Sequence, residues 1–166
     1  MRNSTKRLTT CAMMCALSVV LMLLGTILEL GMYASPLLAG LCLIPIGQAY
    51  GRKYQWIVYV ATSVLCLILV PLMEENLMYI GLFGWYPILR SSFQKLPKAL
   101  CLMAKLLVFN IAVIAIESLV LFLIAPEDTG GWLLILLLVL GNITFLFYDF
   151  AFAKIEILTK RISLKL

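Results

Sequence analysis

Apolar residues run through this chain in six blocks, at 8–28, 36–50, 54–72, 76–89, 100–125 and 132–153, separated by short stretches that hold most of the charge. A straight helix needs about 20 residues to cross a bilayer, so the pattern predicts six membrane helices, of which the second and fourth are short. Both short blocks are interrupted, by Pro45 and Gly47 in one and by Gly81, Gly84 and Pro87 in the other. Broken helices expose backbone groups that hydrocarbon cannot satisfy, so they belong against protein or beside a water-filled cavity. The fourth block is therefore expected to face inward. Its aromatic residues Tyr79, Trp85 and Tyr86 suit two roles, interfacial anchoring or stacking on a ligand.

Charge turns this pattern into a topology. The Lys and Arg residues, 13 in all, fall at the two chain ends and in two of the five connections: Arg2, Lys6 and Arg7; Arg52 and Lys53; Arg90, Lys95, Lys98 and Lys105; Lys154, Lys160, Arg161 and Lys165. The other three connections hold Glu29, Glu74, Glu75, Glu127 and Asp128, with no basic residue. Basic residues near helix ends stay cytoplasmic, which places both termini inside. If the two short blocks were re-entrant loops, Arg52 and Lys53 would lie outside and Glu74 and Glu75 inside, against that rule. Six crossings fit it. The fold expected is an all-α membrane bundle of six transmembrane helices, with residues 1–166 as a single domain.

Composition agrees: 64% of residues are hydrophobic and 13% charged, against roughly 25% charged in soluble domains. The net charge of +5 is placed to meet the anionic inner leaflet of a lipid bilayer and gives no sign of nucleic acid. The first apolar run exceeds a signal-peptide core of about 7 to 15 residues and is read as a membrane helix. Residues 155–166 mix Ile155, Leu158, Ile162 and Leu166 with Lys160, Arg161 and Lys165, a spacing that separates an apolar from a basic face and continues the sixth helix. Cys11, Cys15, Cys42, Cys66 and Cys101 lie in or at the edge of apolar blocks without a CxxC pair, and the chain has no histidine. Neither a disulfide nor a metal site is expected, and no cofactor.

Ionisable groups inside membrane helices cost roughly 2.5 to 3.5 kcal/mol each at the centre, which singles out Glu117 and Asp149. Counting at about 1.5 Å per residue from Pro126 puts Glu117 about 13 Å below the outer end of the fifth helix. Asn142 lies about 15 Å below Trp132 on the sixth by the same count. One heptad deeper, Asn110 and Asp149 share a level. A polar seam of Glu117 with Asn142, and Asn110 with Asp149, is the expectation. Glu117 and Asn142 are read as substrate contacts near the outer mouth. Asn110 and Asp149 are candidate contacts whose other role is to hydrogen-bond across the helix interface.

In the first helix Ala12 and Ala16 stand four residues apart in TTCAMMCALSVVLMLLG, leaving a shallow groove where another helix can approach. In length, helix count, orientation and this motif, the chain resembles the substrate-binding S components of energy-coupling-factor transporters. That resemblance implies a binding protein for a vitamin or similar micronutrient in the bacterial cytoplasmic membrane. It further implies docking through Ala12 and Ala16 onto a T component and delivery driven by two ATPase subunits. The chain departs from the family in its short 29–35 connection, which leaves little to cover a substrate. An enzyme is not expected: without histidine there is no His-based triad, and Asp149 is the only aspartate within a predicted span. No GxxxxGK phosphate loop occurs, so any ATP hydrolysis belongs to partners. The rival reading is a non-transport scaffold resembling MreD of the bacterial rod-shape machinery, in which Glu117 and Asn142 would tolerate apolar replacement.

Overall fold

Among the residues described by the computed structural model, 2–28, 34–93, 97–123 and 131–163, every regular element is helical. Side chains are described over 4–28, 34–90, 97, 100–119 and 138–157. Glu29, Glu127, Asp128, most of the 29–35 connection, and the side chains of Arg2, Lys95, Lys98, Leu158, Lys160, Arg161, Ile162, Lys165 and Leu166 lie outside the described part.

Among the described residues three helices are long and apolar enough to cross a membrane: α1 (Arg2–Leu28), α7 (Lys98–Leu123) and α8 (Gly131–Ser163). α8 runs unbroken through 155–163, so the C-terminal stretch does continue the last helix. The second block is two helices, α2 (Ala34–Leu41) and α3 (Leu43–Tyr50), with the break at Cys42 rather than at Pro45. Proline 45 is nevertheless its cause: the ring lacks an N–H and clashes with the carbonyl of residue i−4, here Leu41, where α2 stops. Pro45 itself sits in the first turn of α3, where no N–H is needed. Gly51, at φ +89, reverses the chain into α4 (Arg52–Leu69). That helix ends short of residue 72 because Val70 precedes Pro71 and is extended, φ −93 and ψ 117, as the residue before a proline prefers.

The fourth block is α5 (Met73–Met78), a π-helical turn at Tyr79–Phe83, and α6 (Tyr86–Phe93). The wide turn is closed by Gly84 N–H donating to the Tyr79 carbonyl at 2.8 Å. Its remaining carbonyls recruit side chains: Tyr59 donates its hydroxyl to Ile80 O at 2.7 Å, and Trp85 its indole N–H to Gly81 O at 2.8 Å. As expected for a broken segment, it faces inward; Tyr79, Leu82, Phe83, Tyr86 and Ile88 are all buried.

This segment separates two cores. One packs α1 to α4 around Val19, Met22, Leu43, Ile46, Val58 and Tyr79. The other joins the π turn, α6, α7 and α8 through Phe83, Tyr86, Phe109, Phe145, Tyr148 and Phe152, with Phe109 stacked on Phe145 at 4.5 Å. The exterior is equally apolar. Leu17, Val20 and Leu24 on α1, Leu107, Ile111 and Ile114 on α7, and Ile143, Phe147 and Phe150 on α8 are exposed. Apolar area this continuous suits lipid, since soluble monomers rarely expose patches above a few hundred Å². Lys6, Arg7, Arg52, Lys53 and Lys154 sit at one end of the bundle, called here the basic end. Glu74, Glu75 and Glu117 lie toward the other, acidic end.

Candidate functional site

Along α8, Asn142, Asp149 and Glu156 recur every seven residues, so they lie on nearly one helical face, and each meets polar groups from neighbouring helices. Asp149 is the centre. Arg90 of α6 donates from Nε to its Oδ1 at 3.0 Å and from Nη1 to Glu156 Oε2 at 2.9 Å. Lys105 of α7 reaches both Asp149 oxygens, at 3.0 and 2.9 Å. Tyr86, one turn before Arg90, donates its hydroxyl to Asp149 Oδ1 at 2.6 Å. Arg90 also stacks over the Phe152 ring, 4.2 Å from its centroid. Both cations are buried, Arg90 at 5% exposure and Lys105 at 6%.

Two sequence expectations change here. Arg90 and Lys105, expected from their positions to flank the helices, turn into the protein and hold Asp149. Tyr86, read as an interfacial anchor or stacking ring, is a buried hydrogen-bond donor. The sequence carried three signals for this cluster: the 142/149/156 heptad, the i, i+4 pair of Tyr86 and Arg90, and a lysine at 105 inside a long apolar helix.

The seam also has a different register. Asn142 pairs with Asn110, each amide donating to the other's Oδ1 at 2.8 and 3.1 Å. Their second donors go to Leu106 O and Leu138 O, both at 2.8 Å. All four amide N–H groups of the pair are therefore used internally. The expected partnerships, Glu117 with Asn142 and Asn110 with Asp149, are displaced by one heptad, about 10 Å of helix. Equal depth down the two helices does not hold: the described parts of α7 and α8 pack one heptad out of that register. Glu117 instead lies toward Glu74, whose carboxyl is held above its ordinary pKa by partial burial first and by the Glu117 carboxylate second. Next to it in sequence, Glu75 is buried and accepts a hydrogen bond from Thr26 at 2.9 Å.

At the basic end a cavity of about 180 Å³ opens between α3, α4, α6 and α8, lined by Gln48, Arg52, Gln55, Arg90 and Glu156 over a floor that includes Phe152. Gln55 donates to Leu43 O at 2.9 Å and packs so closely on Gly47 that any side chain there would collide with it. Gln48 donates from Nε2 to Glu156 O at 3.1 Å, while its buried Oε1 has no partner. A second, apolar cavity of about 290 Å³ lies between the π turn, α7 and α8, among Met78, Phe83, Phe109, Val113 and Gly141. Glu117, Asn142 and Tyr79 line neither. Tyr79 is fully buried beside Tyr59, centroids 6.1 Å apart. Its hydroxyl has no hydrogen-bond partner, and the same holds for Tyr148. Among the described residues no three His, Cys, Asp or Glu group to hold a metal, and the cysteines are free thiols.

No protein-family model, curated protein or solved structure matches this chain. What the arrangement can do follows from its chemistry alone. A cluster of two cations, two carboxylates and a phenol ties α6, α7 and α8 at the basic end, beside a polar cavity with one unmet acceptor. Breaking a buried ion pair costs about 3 to 5 kcal/mol, so the cluster locks that end of the bundle.

Proposed function

We propose that the chain is the substrate-specificity subunit of an energy-coupling-factor importer, crossing the bacterial cytoplasmic membrane six times with both termini inside. It binds a vitamin or similar micronutrient from the acidic end and releases it inward, driven by a T component and two ATPase subunits. One observation carries the proposal. Ala12 and Ala16 are exposed on α1, at the border of the buried face filled by Cys11, Cys15, Ser18, Val19 and Met22. A small-residue stripe turned outward leaves room for a partner helix to approach closely. The orientation is supported by Lys6, Arg7, Arg52, Lys53 and Lys154, which keep the charge asymmetry with Arg90 and Lys105 set aside. At the acidic end Glu117, near Glu74, favours a neutral or amine-bearing substrate over an anion.

The decisive experiment is the double substitution Ala12→Leu with Ala16→Leu, which keeps the helix apolar but fills the stripe. Copurification of T component and ATPases is expected with the parent chain and lost with the variant, while membrane insertion persists. Copurification that survives the substitution defeats the docking assignment. Separately, Glu117→Ala is expected to abolish substrate binding without affecting insertion, and unchanged affinity refutes that role. A second reading, the non-transport scaffold, is favoured by the Asn110–Asn142 pair, whose donors are used internally and leave little for a ligand. Full activity of an Asn142→Leu, Glu117→Leu chain supports it.

A further inference from the structure

Glu75 and Asp149 both carry carboxylates into the protein, yet only Asp149 is met by cations. Glu75 is the more deeply buried, at 1% exposure. Among the described residues its carboxylate has one partner, the Thr26 hydroxyl, which donates to Oε2 at 2.9 Å. No base is available from the connections at that end: 29–35, 70–76 and 120–131 hold no Lys or Arg, and the chain has no His. A buried charge without a counter-charge is costly, and in membrane proteins such a group marks an ion site by default.

Two further buried oxygens at the acidic end lack a hydrogen-bond partner, Ser35 Oγ and Asn76 Oδ1. Asn76 follows Glu75 on α5 and donates from Nδ2 to Val70 O at 3.0 Å, which leaves its carbonyl oxygen unmet. Ser35, near the start of α2, packs on Gly25, the residue before Thr26, so closely that any side chain at Gly25 would collide with it. α2 packs on α5 as well as on α1. A proton on Glu75 would bring one O–H to this end, whereas a bare cation is met by several oxygens at once. The set is oxygen only, which suits a hard cation. It holds a single carboxylate, while Ca²⁺ takes about six to eight oxygens with carboxylates prominent among them. Burial this deep favours an ion over an amine that carries carbon. We infer that Glu75, with Thr26 Oγ1, Ser35 Oγ and Asn76 Oδ1, binds a monovalent metal cation such as Na⁺. The site follows from the burial of Glu75 and is independent of transport.

The test follows thermal unfolding of the full chain in detergent micelles, prepared in choline chloride and titrated with NaCl, KCl or CaCl₂ at constant ionic strength. The melting temperature should rise to a plateau with Na⁺ or K⁺, as for any ligand that binds the folded state alone, and should not move in choline. Glu75→Gln should weaken the apparent cation affinity about tenfold, while Glu74→Gln, outside the ligand set, should keep it. Ser35→Ala and Thr26→Val leave the carboxylate in place and should each weaken the response, which tests the site even where Glu75→Gln does not fold. An unchanged melting temperature in NaCl and KCl overturns the inference, and so does a full response in Glu75→Gln. An equal loss in Glu74→Gln and Glu75→Gln would show diffuse attraction to the acidic end in place of a site. Stabilisation by Ca²⁺ alone would overturn the monovalent assignment.

Discussion

Tyr148 and Asp149 are neighbours on α8, yet their polar atoms are treated in opposite ways. Asp149 collects Arg90, Lys105 and Tyr86, whereas the Tyr148 hydroxyl, buried against Gly40, has no partner. The two residues point about 100° apart around the helix, one to α6 and α7, the other to α2 and the π turn. The contrast reflects what each group costs when left alone. An unpaired hydroxyl loses about 1 to 3 kcal/mol, which aromatic packing against Phe83 and Phe152 can offset. An unpaired charge in hydrocarbon costs far more, so Asp149 exists only with its cations around it.

The sharpest way to break this comparison is Asp149→Ala, which strands Lys105 inside the protein and leaves Arg90 only its ion pair with Glu156. A loss of about 3 to 5 kcal/mol is expected, read from denaturant titration in mixed micelles. Replacing Lys105 and Asp149 together by Met and Leu should recover part of that loss, because the double change removes one stranded charge along with its partner. A single substitution that costs nothing would mean the cluster is solvated in the bilayer.

Next in size is the neutral seam. Asn110→Leu should cost about 0.6 to 2 kcal/mol in the same titration, and Asn142→Leu added to it should cost little more, since the first change already removes the shared bonds. Full additivity would show that the two amides do not depend on each other. Tyr148→Phe marks the opposite pole of the comparison: deleting a hydroxyl without a partner should leave stability unchanged or raise it by up to about 1 kcal/mol. A clear loss would reveal a bridging water or ligand atom there.

Much of the architecture was legible from residue order, for definite reasons. Proline and glycine marked the interruptions because their backbone limits act locally, and the inward-facing fourth segment followed from the backbone groups it frees. The break at Cys42 was three residues from the mark because a proline disrupts the turn before it. The candidate site was less legible. Depth counting from Pro126 and Trp132 sets equal depths side by side, whereas the register between antiparallel helices depends on packing that no single helix encodes. The inward turn of Arg90 and Lys105 is hidden in the sequence for a related reason: a long cationic side chain near a helix end can reach outward to water or inward to a carboxylate, and only the position of Asp149 on another helix decides between them. The resemblance through Ala12 and Ala16 is of another kind, since a surface stripe depends on a partner that no single chain contains.

The smallest effect concerns the acidic end. Because burial and Glu117 hold the folded Glu74 carboxyl above the ordinary value of 4.5, the folded state keeps that proton longer than the unfolded chain does. Its penalty is absent below 4.5, grows as pH rises toward the folded value, and is complete above it. Glu74→Gln should therefore gain melting temperature relative to the parent chain on going from acid to neutral pH. A difference that stays flat with pH would separate Glu74 from Glu117.

The last helix has a mechanical consequence. At 33 residues it is about 50 Å long, some 20 Å more than the hydrocarbon layer it has to cross. That surplus is continuous with the stretch carrying Asp149 and Glu156, so it works as a stiff handle fixed to the locked end of the bundle. A tilt of about 20°, ordinary for membrane helices, would swing its tip about 7 Å, enough to turn a slight reorientation of the body into a displacement at the membrane surface.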